Sequence, residues 1–414
     1  MRVGIHRLLA AGLLLIGGCS ADALPTDGTI VDRDLALDDA APPADLAMEA
    51  PRPDFTLPGD FSHPPAQTVT LTSTMVPTVD SPTAIAVGDF NSDGIPDVAV
   101  TSASSGGIAV HAGQAGPQSG LGDPIDTALG AGALSAIAVA DFNGDQKPDV
   151  VVIDARTPSY WVLRGQGAAK FVPAKYALAY MPVAIGPKDL DKNGTIDLAI
   201  SGESGGAGSL HVLAGDGAGG FAERSVFAVG MRPWAISWGD LNGDGMTDVA
   251  IADPLAGQVF TALGAGGFNF MPASPQGAAR SVTGVVLGDF DQDGKADAVA
   301  SLLPANAVGF MKGGGDGSLA LKSNYATGLS PSRVVAADFD SDGRIDVATP
   351  DRISHTVSVL RGYGDGTFHV ADKFNTGFTP VAIAVADFNR DGKPDLVTAN
   401  FMGSSLTLLI NTSQ

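Results

Sequence analysis

The feature that most constrains this chain is a nine-residue pattern, Asp-x-(Asn/Asp)-x-Asp-Gly-x-x-Asp, whose copies begin at Asp89, Asp141, Asp189, Asp240, Asp289, Asp338 and Asp387. The intervals are 52, 48, 51, 49, 49 and 49 residues. A period near fifty belongs to a propeller blade or a solenoid unit, and every unit here holds only strand-like runs. In the last unit these are Val381–Val385, the Asp387 to Asp395 loop, Leu396–Thr398 and Leu406–Ile410. A fourth run precedes the next unit, as in the stretches beginning at Phe171, Phe221 and Phe368. Four antiparallel strands per unit predict a blade. The 54 glycines and only 17% charged residues suit short strands and tight turns, and no long helical pattern competes.

The chain stops after the third strand of the seventh unit, while Val69–Ser73 stands alone before the first. The early strand is therefore expected to complete the last blade, closing the ring and leaving no long exposed edge. The predicted fold is all-β: a seven-bladed propeller of four-stranded antiparallel blades over residues 67–414, closed by an N-terminal strand, with the Asp-rich loops between first and second strands.

A hard divalent cation takes about six to eight oxygens. Each loop offers side-chain oxygens at positions 1, 3, 5 and 9 and a backbone carbonyl at 7. The predicted ligands are Asp89, Asn91, Asp93 and Asp97; Asp141, Asn143, Asp145 and Asp149; Asp189, Asp191, Asn193 and Asp197; Asp240, Asn242, Asp244 and Asp248; Asp289, Asp291, Asp293 and Asp297; Asp338, Asp340, Asp342 and Asp346; and Asp387, Asn389, Asp391 and Asp395. Ca2+ fits better than Mg2+, which demands a stricter octahedron. An EF-hand would need an acid at position 12, where these loops carry Val100, Ile251 or Thr398. A simple Asn/Asp-Gly hairpin would not need the ninth Asp, which every copy has. Gln146 replaces the sixth-position Gly in the second loop and Asn193 the fifth-position Asp in the third, so these two of up to seven sites are expected to be weakest. Seven divalent ions would bring the formal charge of −21 to about −7.

These residues resemble FG-GAP or VCBS-type repeats, the class that forms the head of integrin α chains and several calcium-loop lectins. The resemblance implies a calcium-stabilised propeller that recognises protein or glycan. The Gly-His and Trp-Asp signs of WD40 blades are missing, and kelch-like Gly-Gly pairs do not recur in register.

The amino terminus reads as an address. Arg2 and Arg7 precede an apolar stretch, Leu8–Ile16, too short to span a bilayer, and then Ile16-Gly17-Gly18-Cys19. This resembles a bacterial lipoprotein signal, residues 1–18, which implies lipidation of Cys19. Ser20 after it favours an outer-membrane or cell-surface location. Cys19 is the single cysteine, so no intrachain disulfide forms. Residues 19–66, rich in Asp, Pro and Ala, are expected to be a disordered tether reaching roughly 35–40 Å.

With 45 acidic against 24 basic residues, the surface repels nucleic acid and anionic lipid, so membrane contact is expected only through the anchor. Gly202-Glu203-Ser204-Gly205-Gly206 mimics a serine-nucleophile motif without a following helix, and Gly215–Gly220 mimics a dinucleotide fingerprint in what reads as a hairpin turn. The six histidines lack metal spacing. The expected role is a monomeric cell-surface binding or adhesion module and not an enzyme, the rivals being an enzyme (lyase or hydrolase) acting on extracellular polysaccharide and a structural envelope subunit. Strand direction puts the Asp loops on one face. The partner is expected on the other, where Tyr180, Arg232, Trp234, Arg352, Phe378 and Phe401 supply the aromatic and Arg types common in hot spots.

Overall fold

The computed structural model describes residues 68–114, 120–277 and 281–413. The lipobox with Cys19 and the whole of the proposed tether lie outside them. The first strand, β1 (Leu71–Pro77), is followed by blade 1: β2 (Pro82–Gly88), β3 (Asp97–Ser102), β4 (Gly107–Gln114) and β5 (Gly120–Ala128). Blade 2 is β6 (Leu134–Ala140), β7 (Asp149–Asp154), β8 (Ser159–Gly165) and β9 (Phe171–Ala177). Blade 3 is β10 (Met181–Lys188), β11 (Asp197–Ser204), β12 (Ala207–Gly215) and β13 (Phe221–Ala228). Blade 4 is β14 (Ala235–Gly239), β15 (Asp248–Asp253), β16 (Gln258–Ala262) and β17 (Ser274–Gln276). Blade 5 is β18 (Val282–Gly288), β19 (Asp297–Leu302), β20 (Ala307–Gly313) and β21 (Leu319–Ala326). Blade 6 is β22 (Val335–Ala337), β23 (Asp346–Asp351), β24 (Thr356–Leu360) and β25 (Asp372–Asn375). Blade 7 is β26 (Pro380–Ala386), β27 (Asp395–Asn400) and β28 (Ser405–Asn411), with β1 as its fourth strand. The fold is the all-β, seven-bladed propeller of four-stranded antiparallel blades that the repeat predicts.

The first strand of each blade touches that of the next, and β26 touches β2, so the ring is closed. Seven strands converging on one axis need small side chains. A Cβ on Gly186 would lie 2.9 Å from Trp238 Nε1 of the next blade, and one on Gly239 would lie 2.9 Å from Leu287 Cδ1. The second strands are buried along their length, save for the last two residues of β11, because both faces meet a neighbouring blade, which is why runs such as Val150-Val151-Val152-Ile153 are continuous rather than alternating. Outer strands such as β13 alternate instead, having one face toward solvent.

Seven apolar clusters fill the seven gaps between blades. Phe90, Ala99 and Ile108 of blade 1 pack with Val150, Val152 and Leu163 of blade 2. Across the seam, Val98, Val100 and Leu121 of blade 1 pack with Phe388, Val397 and Leu408 of blade 7. Burial between blades, not within any one sheet, is thus what holds the ring.

Two strand positions differ from the sequence reading. β1 runs Leu71–Pro77 rather than Val69–Ser73, pairing Leu71 with Asn411 and Pro77 with Ser405 while Val69 drops into the core beyond the strand end. In blade 6, Phe368 makes only an isolated bridge to Gly362, and regular pairing starts at Asp372.

Candidate cation loops and the opposite face

Each Asp loop is a series of tight bends held by its own side chains. In the first loop, Asp89 Oδ1 accepts the Asp93 N–H (3.1 Å), Asp89 Oδ2 the Gly94 N–H (2.8 Å), and Asp93 Oδ1 the Ile95 N–H (2.7 Å). The chain turns because positions 4 and 6 both take left-handed backbone, as at Ser92 (φ 63°) and Gly94 (φ 77°). Gln146 adopts the same conformation, φ 65°, and its N–H still reaches Asp141 Oδ2 at 2.8 Å, so the second loop keeps the shape of the others despite lacking glycine there.

The ninth Asp is the fixed point of every blade. Asp97, Asp149, Asp197, Asp248, Asp297, Asp346 and Asp395 are fully buried. One oxygen of Asp346 accepts the Phe339 N–H (2.8 Å) and the other the Gly362 N–H (2.7 Å), joining the loop to the end of the third strand. The same pair of bonds recurs in the other blades, for example from Phe90 and Gly113 to Asp97 and from Phe388 and Asn411 to Asp395. A carboxylate has about four lone-pair sites, so two remain for a cation. Burial raises the pKa of all seven against the lowering effect of those N–H groups, pushing Asp346 up to about 7 and Asp395 up to about 6.

On the opposite face, the second-to-third-strand turns meet the connections between blades. A cavity of about 310 Å³ opens there over blade 6, lined by Ser330, Arg352, Ile353, His355 and Thr379. His355 Nδ1 accepts the Thr379 N–H at 2.9 Å, and its ring meets Phe378 edge to face at 5.1 Å. Phe378 is 65% exposed and Ile353 63%. Arg352 Nε is buried with no hydrogen-bond acceptor.

The repeat itself identifies the family. Residues 89–152, 141–200, 189–251, 240–300 and 338–398 match the FG-GAP-like repeat. The chain belongs to the FG-GAP repeat family. No curated protein sequence matches it. Among solved structures it is similar to BBS1N in complex with ARL6DN, with a TM-score of 0.59 and 12% identity over 83% of this chain and 96% of that one. It is also similar to an Agrocybe aegerita lectin whose structure concerns recognition of non-reducing terminal N-acetylglucosamine (TM-score 0.53, 16% identity, covering 84% and 87%). A Lactobacillus plantarum protein shows the same fold (TM-score 0.55, 14% identity, covering 73% and 86%).

In this FG-GAP protein the loops differ in the residue at position 3. The carboxylates of positions 1, 3 and 9 come within 4.8 Å of one another in three of them: Asp189, Asp191 and Asp197; Asp289, Asp291 and Asp297; and Asp338, Asp340 and Asp346. These are the loops with Asp rather than Asn at position 3. The third loop is among them, although Asn193 ranks it low on sequence. Asp340 is 2% exposed, both its oxygens lack a hydrogen-bond donor, and burial pushes its carboxyl up to about 6. A buried acceptor pair with no donor, facing two more carboxylates, is the chemistry a hard cation satisfies.

The six opposite-face residues fare differently. Tyr180 is not an accessible anchor: it is 7% exposed, stacks on His211 with centroids 3.5 Å apart, and lies over Gly202, the absence of a Cβ there leaving room for its ring. Arg232 sits over the Trp234 ring at 5.2 Å and pairs with Glu203 at 3.6 Å. Arg352 lines the cavity, Phe378 lies beside it against the His355 ring, and the Phe401 N–H donates to Thr379 O (2.8 Å).

The sequence reading missed a second set of buried carboxylates, Asp154, Asp253 and Asp351, which end the second strand in blades 2, 4 and 6. Asp253 accepts N–H groups from Met231, Arg232, Leu255 and Ala256, clamping two connections together. Their signal was available: each follows its motif's first Asp at the same spacing, but only in alternate units. The fingerprint-like Gly215–Gly220 is a hairpin turn closed by Asp216 N–H to Gly220 O (3.0 Å).

Proposed function

We propose that this FG-GAP protein is a calcium-stabilised binding module, held at the cell surface through lipid on Cys19, that recognises a protein or glycan with the face opposite its Asp loops. The observation that carries the binding reading is the cavity over blade 6. It places a guanidinium whose Nε has no acceptor, an imidazole and two hydroxyl residues beside an exposed aromatic ring, in a protein whose surface is otherwise acidic. Few polar groups converging in a concave site beside apolar surface are what ligand sites share. Two of the similar propellers support the choice of partner class, one solved with the protein ARL6DN and one for recognition of N-acetylglucosamine. The calcium reading is supported by Asp340 and its neighbours. Binding rather than catalysis is the proposed role, and the anchor is proposed from the sequence of the amino terminus.

A glycan array and a pull-down with the full chain test this reading. Binding found there should weaken at least tenfold in Arg352→Ala and Phe378→Ala with melting unchanged, and should survive Asp365→Ala in a turn on the Asp-loop face. Binding lost in the turn variant and kept in the other two would place the partner on the wrong face for this proposal.

A further inference from the structure

Loops 5 and 6 carry identical side-chain donors, four aspartates each, but different cations reach them. In loop 5 the Lys312 ammonium, from the end of β20, donates to Asp291 and to Asp293 (2.9 Å for the latter). In loop 6 the residue at the equivalent place, Arg361, pairs with Asp372 on the outer strand at 3.3 Å, Arg344 pairs with Asp342 at 3.1 Å, and no hydrogen bond reaches the buried Asp340 oxygens between them. The equivalent residues elsewhere are Ala112, Ala214, Leu263 and Ile410, which bear no charge, and Arg164, whose stem packs beside the Gly219 turn. Lys312 thus bridges positions 3 and 5 of its own loop.

We propose that Lys312 is the resident cation of loop 5, a tethered ammonium that takes the place of a divalent ion, so that blade 5 is completed without metal while loop 6 requires it. The physical case is one of shared space. A bound calcium needs the oxygens of positions 3 and 5 together with those of 1 and 9. An ammonium has three donors and one charge, and here it spends two of them on positions 3 and 5, with the Asp291 side chain only 8% exposed. Both cations cannot lie between Asp291 and Asp293 at once. The ammonium is also tethered beside the loop, so its binding is intramolecular, whereas a free ion must be captured from solution. The proposal rests on the calcium reading of the loops above, and the experiment separates the two.

The full chain is equilibrated with calcium, freed of unbound ion by gel filtration, and its metal counted by mass spectrometry for wild type, Lys312→Met, Lys312→Gln and Asp340→Asn. Both Lys312 variants should hold one more calcium ion than wild type, and Asp340→Asn one fewer. Equal counts in wild type and the folded Lys312 variants overturn the proposal. A wild type without calcium, and no loss in Asp340→Asn, would instead overturn the calcium reading, whatever Lys312 does. A measurement on wild type alone covers a variant that fails to fold. Amine labelling of Lys312 should stay low and unchanged when calcium is added, whereas labelling that rises severalfold with calcium shows the ion displacing the ammonium and overturns the proposal.

Discussion

Two aspartates of one loop show how differently the same side chain can serve. Asp346 has both oxygens engaged by backbone N–H groups, and Asp340 has neither engaged. Replacing Asp346 by Asn turns an amide NH2 toward one of those donors and leaves a buried N–H unsatisfied, which costs about 1–3 kcal/mol. Asp346→Asn should therefore lower stability by that amount in urea unfolding even with chelator present. Asp340→Asn removes a buried charge that no hydrogen bond satisfies and that Asp338 and Asp342 repel, so in chelator it should be neutral or stabilising, and its cost should emerge only in calcium. Similar losses for both variants in chelator would mean that Asp340 has a structural partner after all.

Between elements, the loops speak to one another around the ring. The fourth-position side chain of one loop reaches the sixth-position carbonyl of the next in three places: Lys192 to Gly245 (2.7 Å), Gln292 to Gly343 (3.4 Å) and Arg390 to Gly94 (3.0 Å). Arg390 also donates to Asp93 O at 2.9 Å, so this link crosses the seam between blades 7 and 1. It is exposed, and exposed charged contacts contribute about 0–1 kcal/mol. β1 does far more, since it supplies the whole outer edge of blade 7 and brings Val69 into the core between blades 6 and 7. Melting should accordingly fall by only a degree or two in Arg390→Ala but collapse when residues 68–77 are deleted, with aggregation through the bared β28 edge. Comparable shifts in the two variants would show that the seam is held by its loops instead.

At the scale of the whole molecule the formal charge of −21 is the dominant stress, and much of it is gathered on the face that carries the seven loops. Each independent ion bound at ten times its Kd adds about 1.4 kcal/mol to the folded state. Chelation is therefore expected to lower the thermal midpoint by several degrees relative to millimolar calcium, an effect that should shrink as monovalent salt screens the exposed charges. A midpoint indifferent to chelator at low salt would remove calcium from the account of this ring.

Blade number, strand count and the place of every loop were legible in the sequence because each follows from local periodicity: a fifty-residue repeat, runs of β-branched residues, and turns that need left-handed backbone. So was the ninth Asp, marked by its recurrence, although its double bond to backbone was not. What tertiary structure alone decided lies between units. Tyr180 reads as an exposed loop aromatic until Gly202 and His211 are seen to enclose it. Loops 5 and 6 read alike until Lys312, nineteen residues beyond Asp293, folds back to meet it. Arg352, Ser330 and Thr379 come from three different connections and share a cavity only because blades 5, 6 and 7 are neighbours. Repetition along the chain determines what each blade is. Which side chains meet across a blade, or between one blade and the next, depends on the closed ring, whose contacts join residues far apart in sequence.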